Sequence, residues 1–220
     1  MKSVVLTSYG DPATSLEHRE LPEPEKPGIS QVLVGIEFSP INFSDILVAR
    51  GLYPLQMAKA QGAKHAMSTT TNHAKAQQAR SLGFDEVIDL SVEKLSDGVR
   101  RITQGYGADI VIDAIGGEIL SEALGTLAPG GSLTTLGYSA SRKATIDVTD
   151  LIWKRASMKS FSLFSQTAEV WRTAWSVIFP LLRSGAVKPI VAKTFPLAEA
   201  ADALRYLVEG RPFGRVVLTI

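Results

Sequence analysis

Residues 108–138 read ADIVIDAIGGEILSEALGTLAPGGSLTTLGY, and the fold turns on how this stretch is read. Asp109-Ile110-Val111-Ile112-Asp113 is an apolar, β-branched run too short for a helix. It predicts a strand buried on both faces, as in a parallel sheet. Gly116-Gly117 breaks that strand, and Leu120, Leu124 and Leu127 then recur at helical spacing. Pro129-Gly130-Gly131 reads as a turn, and residues 132–136 as a second strand ending at Gly137. Strand, glycine turn, helix, glycine turn and strand make one βαβ unit. In open sheets of this kind ligands sit outside the carboxyl ends of the strands, here Ala114-Ile115-Gly116 and Gly137-Tyr138-Ser139. Small residues there either let a flat ligand approach the backbone or simply make turns.

Working outward, the 220 residues suffice for a substantial core, with 45% hydrophobic and 20% charged residues. A formal net charge of +1, without a basic run, gives no argument for nucleic acid. There is no cysteine, so neither disulfides nor thiolate metal ligands are expected. His18, His65 and His73 lack the spacing of a zinc site, and no metal is expected. No apolar targeting segment follows Met1 and no stretch has the length of a membrane span, so a soluble cytoplasmic protein is the expectation.

Residues 1–50 read as β-rich, with strands at 3–6 and 31–38, a proline-rich loop at 21–29, and a turn into a short helix at 39–45 that ends at Gly51-Leu52-Tyr53-Pro54. From Leu55 the texture alternates. The end of a helix at 55–61 is followed by a strand at 63–68, a helix at 73–82 stopped by Gly83, and a strand at 86–89. Ser91 is placed to cap a helix carrying Val92, Leu95, Val99 and Ile102 on one face. Beyond the central unit come helices at 149–158, 168–184 (with Pro180 as a kink) and 197–209, and extended segments at 159–164, 189–195 and 214–220. The alternation predicts an α/β fold with a doubly wound parallel sheet.

These residues also resemble a known family. PINFSDILVARGLYP (40–54), QMAKAQGAK (56–64), ARSLGFDEVIDL (79–90), GADIVIDAIGG (107–117) and KTFPLAEAADALRYLVEGRPFGRVVL (193–218) are similar, in this order, to medium-chain dehydrogenase/reductases. More narrowly they resemble the zinc-independent quinone oxidoreductase and 2-enoyl thioester reductase branch. The resemblance implies a Rossmann-like cofactor domain at 56–188, preceded by a truncated, β-rich, GroES-like catalytic-domain fragment at 1–55. It also implies a C-terminal segment at 189–220 that returns to the catalytic domain. Between Leu55 and Gln56 the family carries the rest of its catalytic domain, the first Rossmann strand and the glycine-rich phosphate turn. No G-x-G-x-x-G motif occurs in this chain. Backbone N–H groups and a helix N-terminus normally meet the pyrophosphate at that loop, so its absence would weaken or abolish NADPH binding.

By the same resemblance Tyr53, in its GLYP context, is the proton donor to an enoyl thioester, while Asn42 and Asp45 line the nicotinamide end. Read without it, Tyr53 is a half-buried aromatic before a proline, and Asn42 and Asp45 are cap and turn residues. Ser68, Thr69 and Lys75 stand where an NAD-specific site carries an acidic residue. Hydroxyls and a lysine suit a 2′-phosphate, hence NADPH, although a solvated helix lysine is the plainer reading of Lys75. Ile115, Gly116 and Gly137 fall beside the ribose and the strand ends, Phe164 by the nicotinamide, and Arg215 near the cofactor. The implied reaction is hydride transfer to a quinone or an enoyl thioester, and the implied assembly is a homodimer joined near the strand at 159–164. The competing expectation is a non-catalytic remnant of such an enzyme with at most an oligomerisation role.

Overall fold

The computed structural model describes residues 1–8, 12–29, 31–41 and 52–220. The chain forms two compact units, one of residues 1–42 with 189–220 and one of residues 43–188.

In the first unit β1 (Lys2–Leu6) and β2 (Leu16–Glu20) form an antiparallel hairpin across the short helix α1 (Pro12–Ser15). A second sheet has β10 (Arg215–Thr219) between β3 (Phe38–Ile41) and β9 (Val191–Pro196), antiparallel to the former and parallel to the latter. Pro40 is tolerated in β3 because that strand lies at the sheet edge, where a missing N–H breaks no interior ladder. Helix α8 (Ala200–Gly210) covers this sheet, packing Ala203 and Leu207 against Phe195, Val216 and Leu218. The strand expected at 31–38 is found only as Phe38–Ile41, and residues 31–36 pair with no described strand. Their β-branched pattern holds, but a strand forms only against a neighbour that accepts its backbone bonds.

The second unit carries the βα alternation. Helix α2 (Leu52–Ala60) runs through Pro54 and across Leu55-Gln56 without a break; a proline in the first helical turn removes only an N–H that has no intrahelical partner. Strand β4 (Ser68–Thr70) leads to α3 (His73–Ser81), and β5 (Val87–Asp89) to α4 (Leu95–Thr103). The Asn72 side chain caps α3 by accepting from the Lys75 N–H at 3.1 Å. Ser91 does not cap α4 as the sequence suggests. Its hydroxyl is taken by Asp89 at 2.6 Å, the helix starts four residues later, and Val92 is exposed.

The decisive stretch forms β6 (Ala108–Asp113), α5 (Gly117–Gly125) and β7 (Leu127–Thr135), followed by α6 (Val148–Lys154), β8 (Ser157–Ser160) and α7 (Ala168–Ser184). Pro129-Gly130-Gly131 is not a turn before a strand: β7 runs through it. The extra length is absorbed as an irregularity, Ala108 facing Leu127 but Ile110 facing Ser132.

All pairings in this unit are parallel, as expected of an α/β fold, but its five strands do not form one sheet. Among the described residues β4 bonds to β5 alone, and β6 to β7, which continues to β8. The two sheets share one core of Ile88, Leu95, Val99, Ala108, Leu120, Leu124, Leu127 and Leu133. Among the described residues β6 therefore pairs on one side only, rather than being buried on both faces. Val111 packs on the core, while Ile110 is 73% and Ile112 51% exposed. A run of β-branched residues encodes burial on both faces only if a neighbouring strand and a covering helix exist to provide it.

Candidate active site

Two clusters lie at the carboxyl ends of the parallel strands. The first is built on Asp113, the last residue of β6, which is buried at 4% exposure. Its carboxylate accepts the N–H groups of Ile115 (3.1 Å) and Gly116 (3.1 Å) and the Thr135 hydroxyl (3.2 Å), so the buried charge is satisfied from three sides. The chain after β7 folds back onto the same turn. Ala140 N–H donates to the Ile115 carbonyl at 2.8 Å, Ser139 Oγ to the Ala114 carbonyl at 3.2 Å, and Gly116 bridges to Ser141. The glycines are needed for this contact. A Cβ on Gly116 (φ 71°) would lie 2.4 Å from the Ser141 carbonyl oxygen, and one on Gly137 2.5 Å from that of Ala114. The protein's own backbone thus fills the space that small residues there leave.

The second cluster closes β4 and β5. Buried Asp89 accepts from the Ser91 N–H (3.0 Å) and hydroxyl (2.6 Å), and its other oxygen lies 2.7 Å from His73 Nδ1. The Ser91 hydroxyl, helped by His73, holds the Asp89 carboxyl below its ordinary range despite burial. Gln77 Nε2 lies 3.0 Å from His73 Nε2 and orients the ring from the other side. Because Asp89 is engaged inward, the surface beyond β4 presents hydroxyls rather than a carboxylate. Ser68 and Thr70 are half-buried and Thr69 is exposed, with Lys75 in the first turn of α3. At the opposite end of these strands Glu86 accepts from His65 Nδ1 at 2.5 Å, the Ala66 N–H at 2.7 Å and Lys59 at 3.3 Å. Burial alone would raise its carboxyl; these three partners outweigh it and leave it below the ordinary value.

Of the residues singled out from the sequence, Ser68, Thr69 and Lys75 lie together at the end of β4. Ile115, Gly116 and Gly137 lie together around Asp113. Phe164 stands 95% exposed in a short 3-10 turn after β8, and Arg215 lies on β10 in the other unit. Asn42 and Asp45 fall outside the described residues. Tyr53 falls in the first turn of α2, with its side chain outside the description. Sequence reasoning missed Asp113 with Thr135 and the His73–Asp89–Ser91 group. The signal available was an aspartate closing a strand directly ahead of a glycine turn or a serine.

The chain has no cysteine, and among the described residues no three His, Asp or Glu side chains gather to hold a metal ion. No helix among them is long and apolar enough to cross a membrane.

Known proteins agree with this architecture. The chain is 31% identical over 188 residues to a 2-haloacrylate reductase of Burkholderia sp., covering 78% of this chain and 56% of the relative. It is 25% identical over 223 residues to the quinone oxidoreductase-like protein 2 of Bos taurus, covering 97% of this chain and 58% of that one. The solved structure of a 2-haloacrylate reductase superposes with a TM-score of 0.66 at 30% identity, over 79% of this chain and 56% of the other. A mycobacterial quinone oxidoreductase superposes with a TM-score of 0.65 at 27% identity, over 77% and 53%. The chain thus spans somewhat more than half the length of these relatives. The sequence profile of the zinc-binding dehydrogenases matches residues 50–179, more than half of the chain, and with the parallel βα architecture this makes the protein a member of the medium-chain dehydrogenase/reductase family, in its quinone oxidoreductase branch.

Proposed function

We propose that this chain carries the adenosine-side part of an NADPH site, of the kind used by reductases of quinones and 2-enoyl thioesters. The observation that carries the reading is the end of β4. Ser68 and Thr69 supply hydroxyls and Lys75 a cation, and the nearby carboxylate Asp89 is turned inward onto Ser91 and His73. That set suits a 2′-phosphate and presents no outward carboxylate to a ribose 2′-hydroxyl. In this reading Ile115 and Gly116, held by Asp113, lie beside the ribose. A bound nicotinamide would supply hydride to an activated C=C or a quinone. In this reading Tyr53 or water gives the balancing proton to the carbon next to the carbonyl, Asn42 and Asp45 line the nicotinamide end, and no zinc takes part. Phe164, in the same reading, lies by the nicotinamide.

The same reading sets a limit on affinity. Charge-assisted bonds from backbone N–H groups to a pyrophosphate are worth roughly 1.5–3 kcal/mol each. Without a glycine-rich turn two such bonds are missing, which weakens binding by about 3–6 kcal/mol, or roughly 10²–10⁴-fold. A second reading, a non-catalytic remnant, draws support from β6, which among the described residues pairs on one side only. Fluorescence titration of NADPH and NADH into the chain and into Lys75→Ala separates the two. Weak binding that prefers NADPH and loses the preference in Lys75→Ala is expected. Equal affinities for the two cofactors would remove Lys75 from the site, and micromolar or tighter NADPH binding would refute the argument from the missing turn. Absence of binding at millimolar NADPH leaves the remnant reading.

A further inference from the structure

The turn that follows β7 carries two adjacent cations, Arg142 and Lys143, at the carboxyl ends of the parallel strands. Leu136 N–H donates to the Asp113 carbonyl and Ala140 N–H to that of Ile115, each at 2.8 Å, which lays residues 136–140 along the end of β6. Ser141 is bridged to Gly116. Its hydroxyl accepts the Lys143 N–H at 3.1 Å and donates to the Lys143 carbonyl at 3.0 Å. Arg142 therefore stands between two residues that are both tied down. Its guanidinium lies over the Tyr138 ring, 5.5 Å from the centroid, and that ring is 59% exposed.

The carboxylates near this turn are engaged elsewhere. Asp113 is turned onto Ile115, Gly116 and Thr135. Asp147 accepts from the Thr149 N–H at 2.9 Å and hydroxyl at 2.7 Å, and Asp150 pairs with Lys154. Glu118 is exposed in the first turn of α5, and neither it nor any other described carboxylate pairs with Arg142 or Lys143. An exposed cation is ordinarily just solvated. Arg142 differs in that ring and turn fix its direction before a ligand arrives, so less freedom is lost on binding. In the strand order β6–β7–β8 this turn falls between the Ile115–Gly116 turn and Phe164, which the proposed function sets beside the ribose and the nicotinamide.

We propose that Arg142, carried on Tyr138 and reinforced by Lys143, binds the carboxylate of an unsaturated acid, and that such an acid is the hydride acceptor. The inference rests on the reading of this chain as an NADPH site. A guanidinium offers two parallel N–H donors to a carboxylate and only a weaker bond to a neutral oxygen. Drawing charge out of the carboxylate also makes the conjugated C=C a better acceptor. Hydride passes from NADPH to the carbon β to the carboxylate and a proton goes to the α carbon, so that C=C becomes a single bond as NADPH becomes NADP⁺.

The test is a nitrogen-15 NMR titration of the chain, without cofactor, using crotonate, its neutral isostere crotonamide, and inorganic phosphate. Crotonate is expected to bind saturably and to move the signals of Gly116, Ser139 and the Arg142 side chain, whereas crotonamide moves none of them. Arg142→Gln should weaken crotonate about tenfold or more, Arg142→Lys less, and Tyr138→Ala several-fold, with Tyr138→Phe unchanged. The amide spectrum of each variant shows directly that it is folded. No saturable crotonate binding overturns the proposal, as does equal binding of crotonamide or a crotonate affinity that ignores Arg142→Gln. Phosphate that displaces crotonate at equal concentration also overturns it, because the cation then serves a phosphate of the cofactor. The cofactor reading fails separately. If NADPH does not bind but crotonate still binds through Arg142, that reading and the acceptor role fall while the acid site stands. If NADPH is preferred through Lys75 but crotonate ignores Arg142, the proposal alone falls.

Discussion

The two faces of the β6–β7–β8 sheet are made by the same residues in alternation and end up in opposite states. On one face Leu133 of β7 is fully buried, and Val111 of β6 packs with it under α4, α5 and α6. On the other, Ile110 and Ile112 stand in the open, in a row that continues through Thr134 to exposed Lys159. In sequence the face of β6 with Ile110 and Ile112 is the more apolar one, since the other carries Val111 between Asp109 and Asp113. The difference lies in connectivity: the helices joining consecutive parallel strands fall on the covered side, whereas among the described residues β6 pairs with β7 alone. Hydrophobic patterning states what a strand needs; the chain has to contain the element that meets the need.

The largest effect that tests this contrast is on the covered face. Leu124, fully buried in α5, replaced by Ala should lower unfolding free energy by about 2–5 kcal/mol in urea titrations, through lost burial and the cavity left behind. A change no greater than that at Ile112 would erase the contrast. Next comes the strand end, where closure is by backbone rather than by side chains. In Gly137→Ala the new Cβ meets the Ala114 carbonyl, which cannot give way as a flexible side chain can. A loss of about 1–3 kcal/mol is expected, with a further weakening of any NADPH binding because the Ile115–Gly116 turn shifts.

A smaller effect belongs to the β4–β5 sheet, where ionic closure adds to packing. Glu86 has its carboxyl held below its ordinary value of 4.5, so it binds fewer protons folded than unfolded at mildly acidic pH. Its contribution is complete above that value and is lost as pH falls through the depressed one. Urea midpoints measured downward from pH 6 should therefore decline faster in the parent than in Glu86→Gln. At pH 6 the substitution should cost about 1 kcal/mol, given a partly exposed site. The smallest effect is on the open face: Ile112→Thr should change stability by no more than about 0.5 kcal/mol. A larger loss would mean that Ile112 is covered in solution, which a concentration dependence of the same measurement would trace to assembly.

Much of the site was legible because it is local. Helix α3 and its stop at Gly83, with Lys75 in the first turn, follow from short-range chemistry of Asn72 and the glycine. The hydroxyl-rich end of β4 is written directly in Ser68–Thr70. Asp113 was passed over because its role depends on Thr135, 22 positions away, and on a return of the chain at Ser139–Ser141 that no periodicity announces. Ser91 was misread for a related reason. A serine before an apolar run resembles a cap, but a buried aspartate two residues earlier competes for the same hydroxyl and wins.

The amino-acid sequence by itself determined the order of strands and helices, the parallel βα character of residues 56–188 and the family. The first two rest on periodicity and turn chemistry, which act over a few residues, and the family on the resemblance of several motifs in order. Only the tertiary structure decided that five parallel strands close into two sheets instead of one. It also decided that, among the described residues, β6 pairs on one side only and residues 31–36, β-like in composition, pair with no strand. Pairing is a property of two segments at once: the hydrogen bonds and the buried face of a strand belong jointly to the strand and its neighbour, and no reading of one segment alone reveals whether that neighbour is there.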